Sequence, residues 1–207
     1  MKVTVIRPSE LDGGLLQRWD EIVAADAALS SPYFAPEYTR AVAGVRDDVF
    51  VGVMREGPDV VGFFPFQRGR GGVGRPVGGP FTDCQGVIAA PGAQWSAEAL
   101  VRGCGLSLWQ FDHVVASQKQ FRPWQRMLSC SPLIDLPDGF EAYAGTLRGA
   151  GSKQLQRLGQ KQRRFEREVG PLRFEMHTQD AGILRQLLDW KSRQYLESGL
   201  VDAFRFP

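Results

Sequence analysis

The sequence has little of what metal centres and disulfide frameworks are made from. It has three cysteines, Cys84, Cys104 and Cys130, and two histidines, His113 and His177. The cysteines are too widely spaced for a Cys-x-x-Cys pair, and their odd number indicates free thiols in a reducing compartment. Two distant imidazoles supply too few ligands for a zinc or iron site. We therefore expect a protein without a metal.

Long apolar runs and a one-sided charge are also absent. The N-terminal sequence MKVTVIRPSELDGG lacks the apolar core of a signal peptide. No stretch reaches the roughly 18 uncharged apolar residues that a membrane-spanning helix needs. The 25 Lys and Arg residues nearly balance the 23 Asp and Glu residues, so the net charge of +2 does not favour nucleic acid as a partner. We expect a soluble, cytoplasmic protein with no membrane span.

The apolar patterns predict an α/β protein. Residues 3–6 alternate as in a strand, and residues 15–23 have apolar positions at helical spacing. Apolar runs at 49–54 and 60–66 flank the turn sequence EGPD, which predicts a β-hairpin. Later apolar runs, including 131–136, predict further strands. Strands interspersed with helices indicate an α/β or α+β fold with a mixed sheet.

A second section begins at Pro137. We therefore divide the chain into a first lobe, residues 1–136, and a second section, residues 137–207. The second section is predicted to contain a basic helix at 152–169 and a strand at Leu172–Met176. A long helix follows, with Thr178 as its expected N-cap.

The strand, cap and helix after residue 171 repeat the order of elements at 3–23. Such a weak internal repeat is compatible with two related lobes. No sheet follows the second helix, and a strand and helix cannot bury their apolar faces alone. Either these elements complete the first sheet or the chain is truncated, and we favour truncation.

A glycine-rich segment, Gly69–Gly74, formally matches the dinucleotide pattern G-x-G-x-x-G. That pattern binds phosphates only when a helix begins directly after it, because the helix N-terminus supplies the amide donors. The following sequence, RPVGGP, cannot begin a helix. A flexible glycine-rich hairpin is the favoured interpretation.

Two polar residues, Asp83 and Gln85, lie two positions apart in the segment GGPFTDCQG. In an extended strand both side chains would point to one side, where they could line a cleft. An Asp turn followed by a solvated polar position explains the pattern equally well.

The basic helix carries six cations against two carboxylates, Glu166 and Glu168. The six are Lys153, Arg157, Lys161, Arg163, Arg164 and Arg167. Such a face could bind the phosphates of CoA, RNA or a lipid headgroup, although a solvated helix face more commonly explains it. No aromatic residues are interleaved with the cations, so the pattern does not support base stacking.

Lys191 occurs in the last predicted helix, four residues after Leu187 and four before Tyr195. This spacing turns Lys191 toward the apolar side of the helix. Its side chain either extends to the surface or lines a substrate cleft. No Ser-His-Asp or Cys-His arrangement can be proposed, so we assign no catalytic residue.

Four ordered stretches carry a family resemblance: VVGFFPF, GGPFTDCQGVIA, LPDGFEAYAGTL with KQRRFEREVGPLRFE, and LLDWKSRQYLESGLVDAF. Together they resemble the CelD-like acetyltransferases linked to cellulose and exopolysaccharide biosynthesis. These are GNAT-superfamily proteins related to the FemAB peptidoglycan aminoacyltransferases. The resemblance implies two GNAT-like lobes with the substrate held between them and acyl-CoA bound by the second lobe.

The implied activity is transfer of an acyl group from acetyl-CoA or another acyl-CoA to an amine of a sugar or cell-envelope precursor. The family's cofactor signature, Q/R-x-x-G-x-G/A, does not occur after the last helix. We therefore expect an incomplete CoA site and an inactive chain. The alternatives are a non-catalytic module that binds an anionic envelope component or nucleic acid, and a degenerate product without activity.

The resemblance and the charge pattern give two sets of site residues. The first set, expected to bind substrate, contains Asp83, Gln85, Lys191, Gln194 and Tyr195. The second set, expected to bind the cofactor, contains Arg157, Lys161 and Arg164.

Overall fold

The computed structural model describes residues 1–132, 134–202 and 204. It divides the chain into two compact units, Met1–Leu128 and Ser129–Pro207. The sequence patterns place this division after residue 136. None of the helices in the described part of the chain is long and apolar enough to span a membrane.

The first unit contains a six-stranded mixed sheet. Its strands are β1 (Lys2–Ile6), β2 (Val49–Glu56), β3 (Asp59–Arg68), β4 (Val73–Arg75), β5 (Ile88–Ala89) and β6 (Leu108–Trp109). The spatial order is β1-β2-β3-β4-β6. Strand β5 lies outside this order and pairs with β3. The β4–β6 pair is parallel and the other pairs are antiparallel. The predicted α/β class with a mixed sheet is confirmed.

Each unit has three α-helices among its described residues. Those of the first are α1 (Gly13–Ala24), α2 (Pro36–Ala43) and α3 (Ala97–Gly103). Those of the second are α4 (Gly139–Gly149), α5 (Gln154–Glu168) and α6 (Ala181–Glu197).

The β2–β3 hairpin forms the centre of the first unit because apolar residues occupy both of its faces. On one face Phe63 packs with Trp19 of α1, and on the other Phe64 packs with Leu100 of α3. The turn between the strands contains Gly57, whose φ of 59° is readily adopted by glycine. Helices on both faces explain why the strands have near-continuous apolar runs instead of a strict alternation.

Helix α1 begins at Gly13, with Asp12 as its N-cap. The Asp12 carboxylate accepts a hydrogen bond of 2.8 Å from the Leu15 amide, which satisfies one of the free donors at the helix N-terminus. Trp19 then stacks on Phe63, with ring centroids 4.6 Å apart, and donates its indole N–H to the Phe34 carbonyl at 2.7 Å. The indole thus buries its apolar surface without leaving its polar atom unpaired.

Three local predictions fail in or near the second unit. Residues 172–176 form no strand, and neither do the described residues of 131–136, residue 133 lying outside them. The alternation at 172–176 gives a β preference, but a strand needs a hydrogen-bonded neighbour, and no other described segment of this unit supplies one. The cap of α6 is Asp180, which accepts from the Gly182 amide at 2.7 Å, while the Thr178 hydroxyl accepts from the Asp180 amide.

Candidate functional site

The loop after β4 contacts α2 through a glycine. Gly78 has a φ of 82°, in the left-handed region that favours glycine. A Cβ atom added there would lie 2.0 Å from the hydroxyl oxygen of Tyr38. Both the backbone conformation and the close approach of the phenol therefore require glycine at this position.

Hydrogen bonds hold this loop in place on both sides. The Tyr38 hydroxyl is 2.7 Å from the Thr82 hydroxyl, and the Gly78 amide donates to the Gln67 side chain at 2.9 Å. Burial raises the pKa of Tyr38. The phenol is therefore neutral at physiological pH, because its pKa already starts near 10.

Gln85 and Asp83 differ in burial. Gln85 is buried, with 2% of its surface exposed, whereas Asp83 is exposed to solvent. The Gln85 amide nitrogen donates to the Thr82 carbonyl (3.0 Å) and to the Asp112 carboxylate (2.6 Å). Its oxygen accepts from the amides of Asp112 (3.0 Å) and His113 (3.1 Å). All four hydrogen-bonding positions of the carboxamide are used. Gln85 therefore holds two loops together. Of the two residues, Asp83 alone has a side chain without a hydrogen-bond or ion-pair partner among the described residues.

Gln118 is a second buried glutamine whose side chain holds a loop, and no sequence pattern predicts this role. Its carboxamide accepts from the Val87 amide at 2.9 Å and donates to the Val87 carbonyl at 2.7 Å. A Cβ atom at Gly86 would lie 2.5 Å from its side-chain oxygen, and Gly86 has a φ of 150°. The glycine was visible in the sequence, but its partner lies 31 residues away, so no local pattern identifies the pair.

In the second unit, α4 and α5 border an open groove of about 650 Å³. Its apolar lining residues are Phe140, Ala144, Leu155, Leu158, Phe165 and Leu172. Its charged lining residues are Glu141, Arg148 and Lys161. The groove lining thus combines apolar side chains with two cations, Arg148 and Lys161, and the Glu141 carboxylate.

The three predicted cofactor-binding residues lie on one face of α5. Arg157, Lys161 and Arg164 are separated by four and three positions, which places them along one side of a helix. Arg164 pairs with Glu168 at 2.9 Å, whereas Arg157 and Lys161 have no ion-pair partner in the described residues. Lys161 also lines the groove, so it belongs both to the cationic face and to the groove lining.

The other predicted substrate residues lie on α6. The Lys191 ammonium donates to the Gln194 side-chain oxygen at 3.1 Å, and both residues are exposed. Tyr195 is half-buried, with its ring centroid 5.9 Å from that of Phe204. The structure therefore brings Lys191 and Gln194 into direct contact at the surface, and it places neither on a buried helix face.

Within residues 1–132, 134–202 and 204, no three His, Cys, Asp or Glu side chains come close enough together to hold a metal ion. The cysteine thiols differ in environment. Burial raises the pKa of Cys104 to about 12, despite the opposing charge of Arg68, so this thiol stays protonated and unreactive at neutral pH.

Comparison with known proteins gives one match. No curated protein matches the chain, and no solved structure does. Residues 152–207 match the family model described as an acetyltransferase (GNAT) domain. The match begins just before α5 and includes α6, and the mixed α/β architecture is consistent with a GNAT-like fold. The segment that carries the cationic face is thus similar to a GNAT domain, which suggests N-acetyltransferase activity in general.

Proposed function

We propose that this protein is an N-acyltransferase of the GNAT type, which moves an acyl group from an acyl-CoA to the amine of a sugar or cell-envelope precursor. The observation that carries the proposal is the position of the family match. The segment similar to a GNAT domain contains α5, with its cationic face and one wall of the groove. The resemblance to CelD-like and FemAB-related proteins supports the choice of acceptor.

The residues on α5 fit the chemistry of an acyl-CoA. Its phosphates require cations that are not already neutralised, and Arg157 and Lys161 have no ion-pair partner in the described chain. The apolar portion of an acyl-CoA requires an apolar surface, such as the side chains that line the groove together with Lys161. When bound, acyl-CoA supplies an acyl group activated as a thioester. The role of Arg157, Lys161 and Arg164 would be to bind and orient the phosphates.

The residues proposed to bind the acceptor are considered unit by unit. In the first unit the candidate is the exposed Asp83. In the second unit the candidates on α6 are the exposed Lys191 and Gln194 and the half-buried Tyr195. The Gln85 carboxamide is already saturated, so its contribution would be to position the loop that carries Asp83. A neutral amine is the attacking species in such a transfer, and a nearby group must take its proton.

Neutralising the cationic face is expected to weaken acetyl-CoA binding. In the full-length gene product, combining Arg157→Gln, Lys161→Gln and Arg164→Gln should raise the Kd by about tenfold or more, because charge-assisted bonds to phosphate are lost. Isothermal titration calorimetry measures the change.

A matched control removes the same charge elsewhere in the second unit. Arg173→Gln, Arg185→Gln and Arg193→Gln should leave the Kd for acetyl-CoA within about twofold, because none of these three side chains lines the groove or belongs to α5. Equal weakening by both triple variants would show a general charge effect and would remove the cationic face from the proposed site.

The exposed cations also support a second candidate function, the binding of a larger polyanion. Lys153 and Arg163 join Arg157 and Lys161 as cations without an ion-pair partner among the described residues. Binding through such a face falls steeply with salt. Tripolyphosphate that binds as tightly as acetyl-CoA, with a steep salt dependence, would favour this candidate over the acyltransferase.

A further inference from the structure

Two tyrosines of the first unit are joined to a loop that carries an exposed aspartate. Tyr33 lies in the 3-10 turn Pro32–Phe34, and Tyr38 lies in α2. Their rings form a T-shaped pair with centroids 5.0 Å apart and planes at 86°. The Tyr38 hydroxyl is 2.7 Å from the Thr82 hydroxyl, and the exposed Asp83 is the next residue along the loop.

The direction of the Tyr38 hydrogen bond follows from the single proton on Thr82. The Thr82 hydroxyl donates to the Val77 carbonyl, an oxygen that can only accept. It therefore has no proton left for Tyr38, and the Tyr38 phenol must be the donor in the bond between them. The Tyr38 oxygen thus has its proton engaged and its lone pairs available. It can only accept hydrogen bonds from a ligand.

The Asp83 carboxylate has no described hydrogen bond or ion pair, and the residue is exposed. Burial is the largest cause of the raised pKa of Tyr38, and Tyr33 and the charge of Asp83 add to it. A ligand at this loop would meet one negative charge, one hydroxyl that only accepts, and two half-buried aromatic rings. Each of these attracts a cation that carries N–H donors.

We propose that Asp83, Tyr38 and Tyr33 form a binding site for a primary ammonium group. The carboxylate would neutralise its charge, the Tyr38 oxygen would accept one of its N–H donors, and the rings would supply cation–π attraction. The site selects against carboxylates and phosphates, which Asp83 repels, and against N-acylated amines, which have no charge. That this site binds the acceptor amine before it is acylated rests on the proposed function.

The glycine at position 78 explains why the site can form. Only a residue without a side chain lets the Tyr38 phenol approach the loop closely enough to bond to Thr82. The loop is also tied to β3 through the Gln67 side chain. The hydroxyl and the carboxylate are therefore positioned before any ligand arrives.

The test uses NMR titration of the full-length gene product, without acyl-CoA, with glucosamine as the probe and N-acetylglucosamine as its uncharged control. Glucosamine is expected to cause saturable shifts in the amides of Thr82 and Asp83, and N-acetylglucosamine is expected to cause none. Asp83→Asn should weaken glucosamine binding by about tenfold, the effect of losing one charge-assisted bond. Asp20→Asn, at an exposed position of α1, removes the same charge and should change nothing.

Three results would overturn the site: no saturable shift with glucosamine, equal binding of N-acetylglucosamine, or equal binding by the Asp83→Asn variant. The outcome is separable from that of the proposed function. Amine binding without any acyl transfer would keep the site and remove the acyltransferase. Acyl transfer whose KM for the amine is unchanged by Asp83→Asn would keep the acyltransferase and remove the site.

Discussion

Gly52→Ala is expected to destabilise the first unit by about 1–3 kcal/mol, the usual cost of overpacking a well-filled core. Gly52 lies in the middle of β2, paired with Val5 of β1 and with Phe64 of β3. An added Cβ atom would lie 2.6 Å from the sulfur of Cys104 and 3.3 Å from a methyl group of Val3. Because both neighbouring strands hold β2 in place, the backbone cannot move aside.

The cause of this loss can be isolated with a second substitution. Cys104→Ala removes the sulfur atom that the new methyl group would meet, so the double variant should lose less stability than the sum of the two single variants. Urea unfolding of the wild type, both single variants and the double variant gives the coupling free energy. Strict additivity would contradict the contact, since the two changes would then act independently.

Gln85→Leu is expected to cost about 2–4 kcal/mol, because one buried carbonyl and two part-buried amides lose the side chain with which they pair. The substitution leaves the Asp112 and His113 amides and the Thr82 carbonyl without the bonds that Gln85 provides. Leucine has a similar volume, so the loss would come from the unsatisfied groups and not from a cavity. Urea unfolding measures the change in the free energy of unfolding.

The matched control is Gln17→Leu, at an exposed position on α1 where the amide bonds only to Glu21. This change should alter stability by no more than about 0.5 kcal/mol, as is usual for surface substitutions. If Gln85→Leu changed the free energy of unfolding as little as Gln17→Leu, water would replace the hydrogen bonds of Gln85 without a loss of stability. Its role in holding the loops would then be wrong.

Local sequence chemistry predicts the central hairpin and α1. The EGPD turn between two apolar runs indicates the hairpin, and the helical spacing of apolar residues at 15–23 indicates α1. The parallel β4–β6 pair and the bridge between Gln85 and Val114 could not be predicted. Both join segments that are distant in sequence, and no pattern within either segment identifies its partner.

The strand predicted at 172–176 shows a different limit. Alternating residues give a β preference, but strand formation depends on a neighbouring strand, which the described second unit does not supply. The basic face of α5, in contrast, could be predicted in full. It depends only on the spacing of residues along one helix.

The candidate site residues also differ in whether local sequence or distant contacts determine their position. The spacing of Asp83 and Gln85 predicts a shared cleft, but Gln85 is buried and Asp83 is exposed. Nothing in the sequence around Tyr33 and Tyr38 indicates them, because the hydrogen bond that joins Tyr38 to the loop of Asp83 links residues 44 positions apart. The glycine pair before Pro80 was the available signal, since adjacent glycines often mark a close approach of backbone to another group.

The acyltransferase proposal is tested most directly by product analysis. The full-length gene product is incubated with acetyl-CoA and a panel of amino sugars and peptide amines, and mass spectrometry detects acylated amine while a thiol reagent detects free CoA. The account predicts acylated amine and free CoA in equal amounts, both dependent on the amine. No acylated amine with acetyl-CoA or longer acyl-CoA donors, and no release of CoA, would contradict it.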